Sequence, residues 1–170
     1  GSSAMIRIHE DGKVFVFSGE ADMGQGAKTV FAQIAAEVLG VDIADITVMP
    51  LDTDISPFGL GTYSSRVTTV GGKAVYLAAG KVKKQIMEYA SKVLEKPEDK
   101  LIIKNGRIMF MEDENIGITL KKLCESGIRT RDAIPFTAYI TYDPPTEGTD
   151  ASFYGDYSSA YTYGAHGVEV

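Results

Sequence analysis

Two short segments carry residue types suited to holding a polar ligand. The first is Gly24-Gln25-Gly26, inside the stretch Gly19-Glu-Ala-Asp-Met-Gly-Gln-Gly-Ala-Lys-Thr29. Glycine lets the backbone approach a ligand, or take a positive φ, without a Cβ in the way. Gln25 adds a planar amide with one acceptor and two donors. The segment leads into a helical pattern, and a helix start offers N–H groups and the positive end of the dipole. Recognition by backbone and amide is the chemistry expected here, with no nucleophile and no metal cage. The competing reading is a tight strand-to-helix turn without a ligand.

The second segment is Gly61-Thr-Tyr-Ser-Ser-Arg-Val-Thr68. Ser64, Ser65 and Thr68 bring hydroxyls and Arg66 a guanidinium, just ahead of a second helical pattern. That set suits a phosphate or another anion. The competing reading has Thr68 or Thr69 capping the helix and Arg66 in solvent.

Simple nucleotide motifs do not fit. Gly19 and Gly24 have P-loop spacing, but Gln25 stands where the motif needs Lys. No third glycine completes a dinucleotide fingerprint, because Thr29 occupies that place. The acidic pairs Asp52/Asp54 and Asp143/Glu147 lie in turn-like sequence, where Asp favours local backbone bonds. They read as structural, as do His9 and His166. Cys124, the only cysteine, sits at helical spacing in Leu120-Lys-Lys-Leu-Cys-Glu125 and reads as a buried packing residue.

Ordered elements must position these segments. Lys13 to Ser18 reads as a strand after an Asp11-Gly12 turn. Val30, Phe31, Ile34, Ala35, Val38 and Leu39 give Ala27 to Leu39 one buried helical face, stopped by Gly40. Asp45 to Met49 is a second strand, ended by Pro50. The stretch from Leu51 to Thr69 is a long loop, and long loops are often functional. A second helix is expected from about Val70 to Leu94, with Val70, Ala74, Ala78, Val82, Ile86, Ala90 and Val93 on one face. Gly71 and Gly72 suit either close packing or ligand approach, and Gly80 suits packing. Asn105-Gly106 marks a type I′ hairpin between Leu101 and Phe110. A short strand at Ile116 to Ile118 precedes a helix that Thr119 caps and that ends near Gly127. Pro135 to Tyr142 alternates as a strand, and Ser158 to Val170 suits one long strand, interrupted at Gly164 and Gly167.

Composition narrows the function. A chain of 170 residues, 44% hydrophobic, can bury one ordinary core. A net charge of −6 argues against nucleic acid as a partner. No apolar run reaches the roughly 20 residues that span a bilayer. A cytoplasmic setting is the default. Gly1 to Ala4 reads as a cloning scar and is set aside, leaving residues 5–170 as the domain. The pattern stops inside a strand-like stretch at Val170, so a fragment of a larger subunit is expected. The fold class is α+β, as a two-layer arrangement of sheet and helices.

Taken together, the two segments resemble the molybdenum hydroxylases, the xanthine dehydrogenase and aldehyde oxidase family that includes 4-hydroxybenzoyl-CoA reductase. Gly19 to Gly26 looks like the first Gly-Gln-Gly segment of the molybdenum-binding large subunit. Gln33 to Gly40 looks like the helix after it. Asp52-Thr53 with Gly61 to Thr68 looks like the cofactor-side loop, Gly72-Lys-Ala-Val75 like the next helix, and Tyr163 to Val170 like the strand where family members resume. The Tyr-Ser-Ser-Arg-Val-Thr form is most similar to the acyl-CoA reductase branch.

The resemblance implies a molybdopterin cofactor, in bacteria often as the cytosine dinucleotide. It implies cofactor contacts at Gly24, Gln25, Gly26, Ser64, Ser65, Arg66, Val67 and Thr68, with Tyr63 near the substrate pocket. It also implies the rest of the molybdenum subunit, iron–sulfur and FAD partners, and a small-molecule substrate. The family's upstream Gly-Gly-x-Phe-Gly, second Gly-Gln-Gly and late Gly-x-Gly-Glu are not among these residues, and Glu169 is not that last glutamate. No catalytic residue and no protein metal ligand is therefore assigned. The chain alone is expected to be inactive and to lack the cofactor. A rival reading is a non-catalytic interaction module using the tyrosine-rich C-terminal segment, since tyrosine is enriched at interfaces.

Overall fold

The computed structural model of the chain describes residues 1–129, 135–156, 158, 160, 161 and 164–169. Strand β1 (Ser2–Ile8) pairs antiparallel with β2 (Val14–Ser18), with Ile6 opposite Val16. Helix α1 (Ala27–Leu39) then crosses to β3 (Ile46–Val48), which lies parallel to β2. After the long loop, the turn Val67–Gly71 winds into α2 (Gly72–Leu94). A hairpin of β4 (Leu101–Lys104) and β5 (Arg107–Phe110) continues into β6 (Asp113–Thr119) and α3 (Leu120–Arg129). Strand β7 (Thr137–Tyr142) returns to pair antiparallel with β1. The main sheet runs β3-β2-β1-β7, and a smaller sheet runs β4-β5-β6.

The core follows from the patterning. Ala4, Ile6 and Ile8 of β1 and Val14 and Val16 of β2 are buried together with Phe31, Ala35 and Leu39 of α1. The stripe Ala74, Ala78, Val82, Ile86 and Ala90 of α2 joins the same core. Two helices packed on a sheet are thus the two layers that the periodicity implies. Gly40 closes α1 at φ 68°, and its N–H donates to the Ala36 carbonyl. Asn105 and Gly106 both take positive φ, as a type I′ turn requires. Lys122 N–H donates to Thr119 Oγ1 at 3.3 Å, the expected cap. Cys124 is buried, and burial pushes its thiol up to about 12, so it packs rather than reacts.

The structure corrects several expectations. Gly1 to Ala4 cannot be set aside from the fold. Ser2, Ser3 and Ala4 form the first half of β1 and are fully buried: all three pair with β7, Ala4 also pairs with β2, and Ser3 N–H bonds to the Phe58 carbonyl of the long loop. Ser158 to Val170 forms no strand among its described residues 158, 160, 161 and 164–169. Extended chain becomes a strand only where an edge accepts its backbone groups, and here none does. Tyr163 and Val170, the ends of the last matched segment, lie outside the described residues. Val93, at the end of α2, is 39% exposed. Gly71 and Gly72 pack closely, against Glu20 and Phe31 and against Ile34, whereas Gly80 faces open space.

Candidate functional site

The long loop runs back across the end of β2 at Gly19. A Cβ on Gly19 would lie 2.4 Å from the Pro57 carbonyl oxygen, and one on Gly59 would lie 2.3 Å from the Gly19 carbonyl oxygen. Only two glycines let these backbones touch. Ser3 N–H donates to the Phe58 carbonyl at 2.8 Å and fixes the crossing to β1.

That crossing brings the two candidate segments together. The Ala21 carbonyl accepts from Gln25 Nε2 at 3.0 Å and from Thr62 Oγ1 at 2.6 Å. One oxygen atom therefore joins the Gly24-Gln25-Gly26 loop to the loop bearing Ser64 and Ser65. Gly24 and Gly26 have φ of 105° and 82°, and among the described residues nothing stands within 4 Å of where their Cβ atoms would be. The backbone there is open to a ligand. Gln25 is exposed, and its Oε1 accepts from Met23 N–H at 2.6 Å. Ser64 and Ser65, both exposed, are successive left-handed residues at φ 48° and 54°. Such conformations are strained for any residue with a Cβ.

Sequence reasoning missed Asp22. Its Oδ1 accepts from Gly24 N–H at 2.9 Å and its Oδ2 from Lys28 N–H at 3.0 Å. The carboxylate occupies part of the α1 start that a ligand anion was expected to use. Backbone N–H groups of Lys28 and Gly24 hold its pKa below the usual carboxylate value. The depressed pKa means that this anchoring is present above the ordinary carboxylate pKa and is lost as pH falls through the lower folded value. Asp22→Asn is expected to loosen residues 22–28 at neutral pH, as acidification does for the unaltered chain. Amide hydrogen exchange of Gly24 and Lys28 checks it, with faster exchange in Asp22→Asn as the expected result. An aspartate a few residues before a helix is the signal that could have found it.

Arg66 is also not where the sequence suggested. It is 8% exposed and forms an ion pair with Glu20 at 2.7 Å. Neither Thr68 nor Thr69 caps the helix; Arg66 stands at the cap position of the turn Val67–Gly71 and Gly71 at that of α2, neither with a side-chain cap bond. Val67 is buried in the core, so its side chain is not offered to a ligand. Tyr63 is 54% exposed, and its ring centre lies 5.6 Å from the Arg66 guanidinium carbon. Tyr63, Ser64 and Arg66 line a cavity of about 380 Å³, together with Asp143 and Pro144. That volume suits part of a small organic ligand. Asp52 accepts from Asp54 N–H at 2.9 Å, the local turn bond expected of it. Among the described residues, no three or more His, Cys, Asp or Glu side chains are placed to hold a bare metal ion.

A planar amide, hydroxyls, open glycine backbone and a nearby cavity fit a polar organic ligand bound across two loops. The whole chain, residues 1–170, matches the family model described as the molybdopterin cofactor-binding domain. The chain belongs to that family. It is 34% identical over 166 residues to the carbon monoxide dehydrogenase large chain of Afipia carboxidovorans, covering 96% of this chain and 19% of that one. It is 36% identical over 112 residues to a xanthine dehydrogenase molybdenum-binding subunit of Escherichia coli O157:H7, covering 65% of this chain and 15% of that one. Among solved structures, quinoline 2-oxidoreductase from Pseudomonas putida 86 superposes with a TM-score of 0.77 at 29% identity, over 85% of this chain and 19% of that one. The chain thus spans 15–19% of the length of these relatives.

Proposed function

We propose that this chain holds molybdopterin between the Gly24-Gln25-Gly26 and Tyr63–Thr68 loops, as the cofactor-binding part of a molybdenum-dependent oxidoreductase of the xanthine dehydrogenase and aldehyde oxidase type. The observation that carries this reading is the single Ala21 carbonyl that joins Gln25 to Thr62. Gln25, Ser64 and Ser65 would meet the cofactor through side chains. Gly24, Gly26, Val67 and Thr68 would meet it through backbone groups, Thr68 adding its hydroxyl. Tyr63 would shape the adjoining cavity. The cytosine dinucleotide form extends the same contacts along a longer anionic tail.

The bound group would supply oxygen-transfer chemistry at molybdenum, with electrons passing to iron–sulfur and FAD partners. The chain's own residues bind and orient it and shape the entrance for a small-molecule substrate. Met23, Phe58, Leu60 and Tyr63, all more than half exposed, surround both loops. An apolar patch at a ligand site suits cover by another part of the molybdenum subunit. Phe153, Tyr154 and Tyr161 are exposed as well, and suit the same contact. No helix among the described residues is long and apolar enough to cross a membrane, and a cytoplasmic setting fits this reading.

The test is cofactor content. The whole subunit is expressed in a host that makes the cofactor, and molybdenum and pterin are measured per protein. Gln25→Ala and Ser64→Gly are expected to lower occupancy about tenfold each, the value of one good hydrogen bond to a charged group. Ser64→Gly also relieves a positive φ, so its thermal stability is expected to hold or rise. Full occupancy in both variants would overturn the assignment.

A further inference from the structure

Glu20 and Arg66 form a buried cluster between the two loops. The Glu20 side chain is fully buried, and its Oε1 accepts from Ser2 Oγ and from Arg66 Nη1, the latter at 2.7 Å. Arg66 Nη1 also donates to the Gly61 carbonyl at 2.7 Å. Its Nη2 donates to the Gly1 carbonyl at 2.8 Å and to Ser2 Oγ at 2.5 Å. The backbone N–H of Arg66 donates to the Tyr63 carbonyl at 3.2 Å. One residue therefore grips its own loop twice and grips β1 and Glu20 besides. Glu20 in turn is bonded to Ala21, whose carbonyl joins Gln25 and Thr62. Its second oxygen, Oε2, is buried with no hydrogen-bond partner among the described residues.

Such a pair is a poor source of stability. Burying both charges costs about as much as their attraction returns, and apolar substitutes often serve as well. A planar guanidinium fork does fix direction, because its donors point along set lines. The strained Ser64–Ser65 turn lies between Tyr63, whose carbonyl accepts from the Arg66 N–H, and Arg66 itself.

We propose that Glu20 and Arg66 are positioning residues that hold Ser64 and Ser65 toward the ligand side of Gln25, with Arg66 acting from behind the loop instead of touching the cofactor. The proposal rests on the cofactor reading given above. It replaces the direct contact that the sequence suggested for Arg66.

The test uses the whole subunit, made with and without cofactor, in four variants: Glu20→Gln, Arg66→Lys, Arg66→Met and the double Glu20→Met, Arg66→Met. Cofactor content, thermal unfolding and amide exchange of residues 61–68 in the cofactor-free protein are measured. The double variant is expected to fold with Tm close to the parent, yet to exchange faster at 61–68. Its occupancy is expected to fall about 10–100-fold, the range typical of groups that orient ligands from behind. Glu20→Gln, which leaves the Arg66 charge in place, is expected to lose occupancy too, and Arg66→Lys to recover part of what Arg66→Met loses. A double variant with parental exchange and occupancy would show a purely structural pair and overturn the proposal. So would full occupancy in Glu20→Gln beside loss in Arg66→Lys, the pattern of a direct ligand. If Gln25→Ala is silent, the cofactor reading fails instead, and the exchange result still decides whether the pair holds the loop.

Discussion

Replacing Arg66 with methionine is expected to lower folding stability by about 3–5 kcal/mol, because it leaves Glu20 buried without its counter-charge. For a domain of this size that is a fall in Tm of roughly 6–20 °C. The Glu20 side chain has no solvent access through which water could replace the guanidinium. Urea or thermal unfolding at neutral pH measures the loss. The double variant Glu20→Met, Arg66→Met is expected to regain most of it, since neither charge then remains. A loss under about 1 kcal/mol for the single variant would mean that the pair behaves as a hydrated surface pair, contrary to its burial here.

The second large effect belongs to Gly19→Ala. Its Cβ would lie 2.4 Å from the Pro57 carbonyl oxygen and 2.5 Å from Gly59 N. These are backbone atoms, which cannot rotate away as a side chain does. The long loop must lift off β2, at a cost of about 3 kcal/mol, the upper end for overpacking. Lifting the loop also separates Thr62 from the Ala21 carbonyl, so cofactor content is expected to fall with stability. Gly148→Ala is the control, since among the described residues nothing stands within 4 Å of where its Cβ would be. It is expected to change stability by no more than about 0.5 kcal/mol. Equal behaviour of the two variants would show that the crossing is not close-packed.

Much of the fold was legible because it is written locally. The 3.6-residue stripe of Phe31, Ala35 and Leu39 and the Gly40 stop gave α1 its bounds, and Asn105-Gly106 gave the β4–β5 hairpin. The two candidate loops were also legible, as glycine and hydroxyl clusters beside helix starts. What the sequence did not give is tertiary. Glu20 and Arg66 are 46 residues apart, and nothing in their spacing marks them as a buried pair. Charged residues are almost never fully buried unless paired, so Arg66 read as solvated or as an anion ligand. Ser2 and Ser3 are small polar residues that read as part of a cloning scar. They become core only because β7 arrives from the other end of the chain to pair with β1. The C-terminal segment fails in the opposite sense. Its Tyr, Ser and Val content suits a strand, yet pairing needs an edge that its described residues do not meet.

The most direct test of the cofactor site is the structure of the whole subunit loaded with its molybdenum–pterin cofactor. The account predicts cofactor atoms within hydrogen-bond distance of the Gln25 amide and of Ser64 or Ser65, with the Arg66 guanidinium still on Glu20 and the Gly61 carbonyl. Cofactor lying away from both loops, or Arg66 turned outward to bind it, would contradict the account.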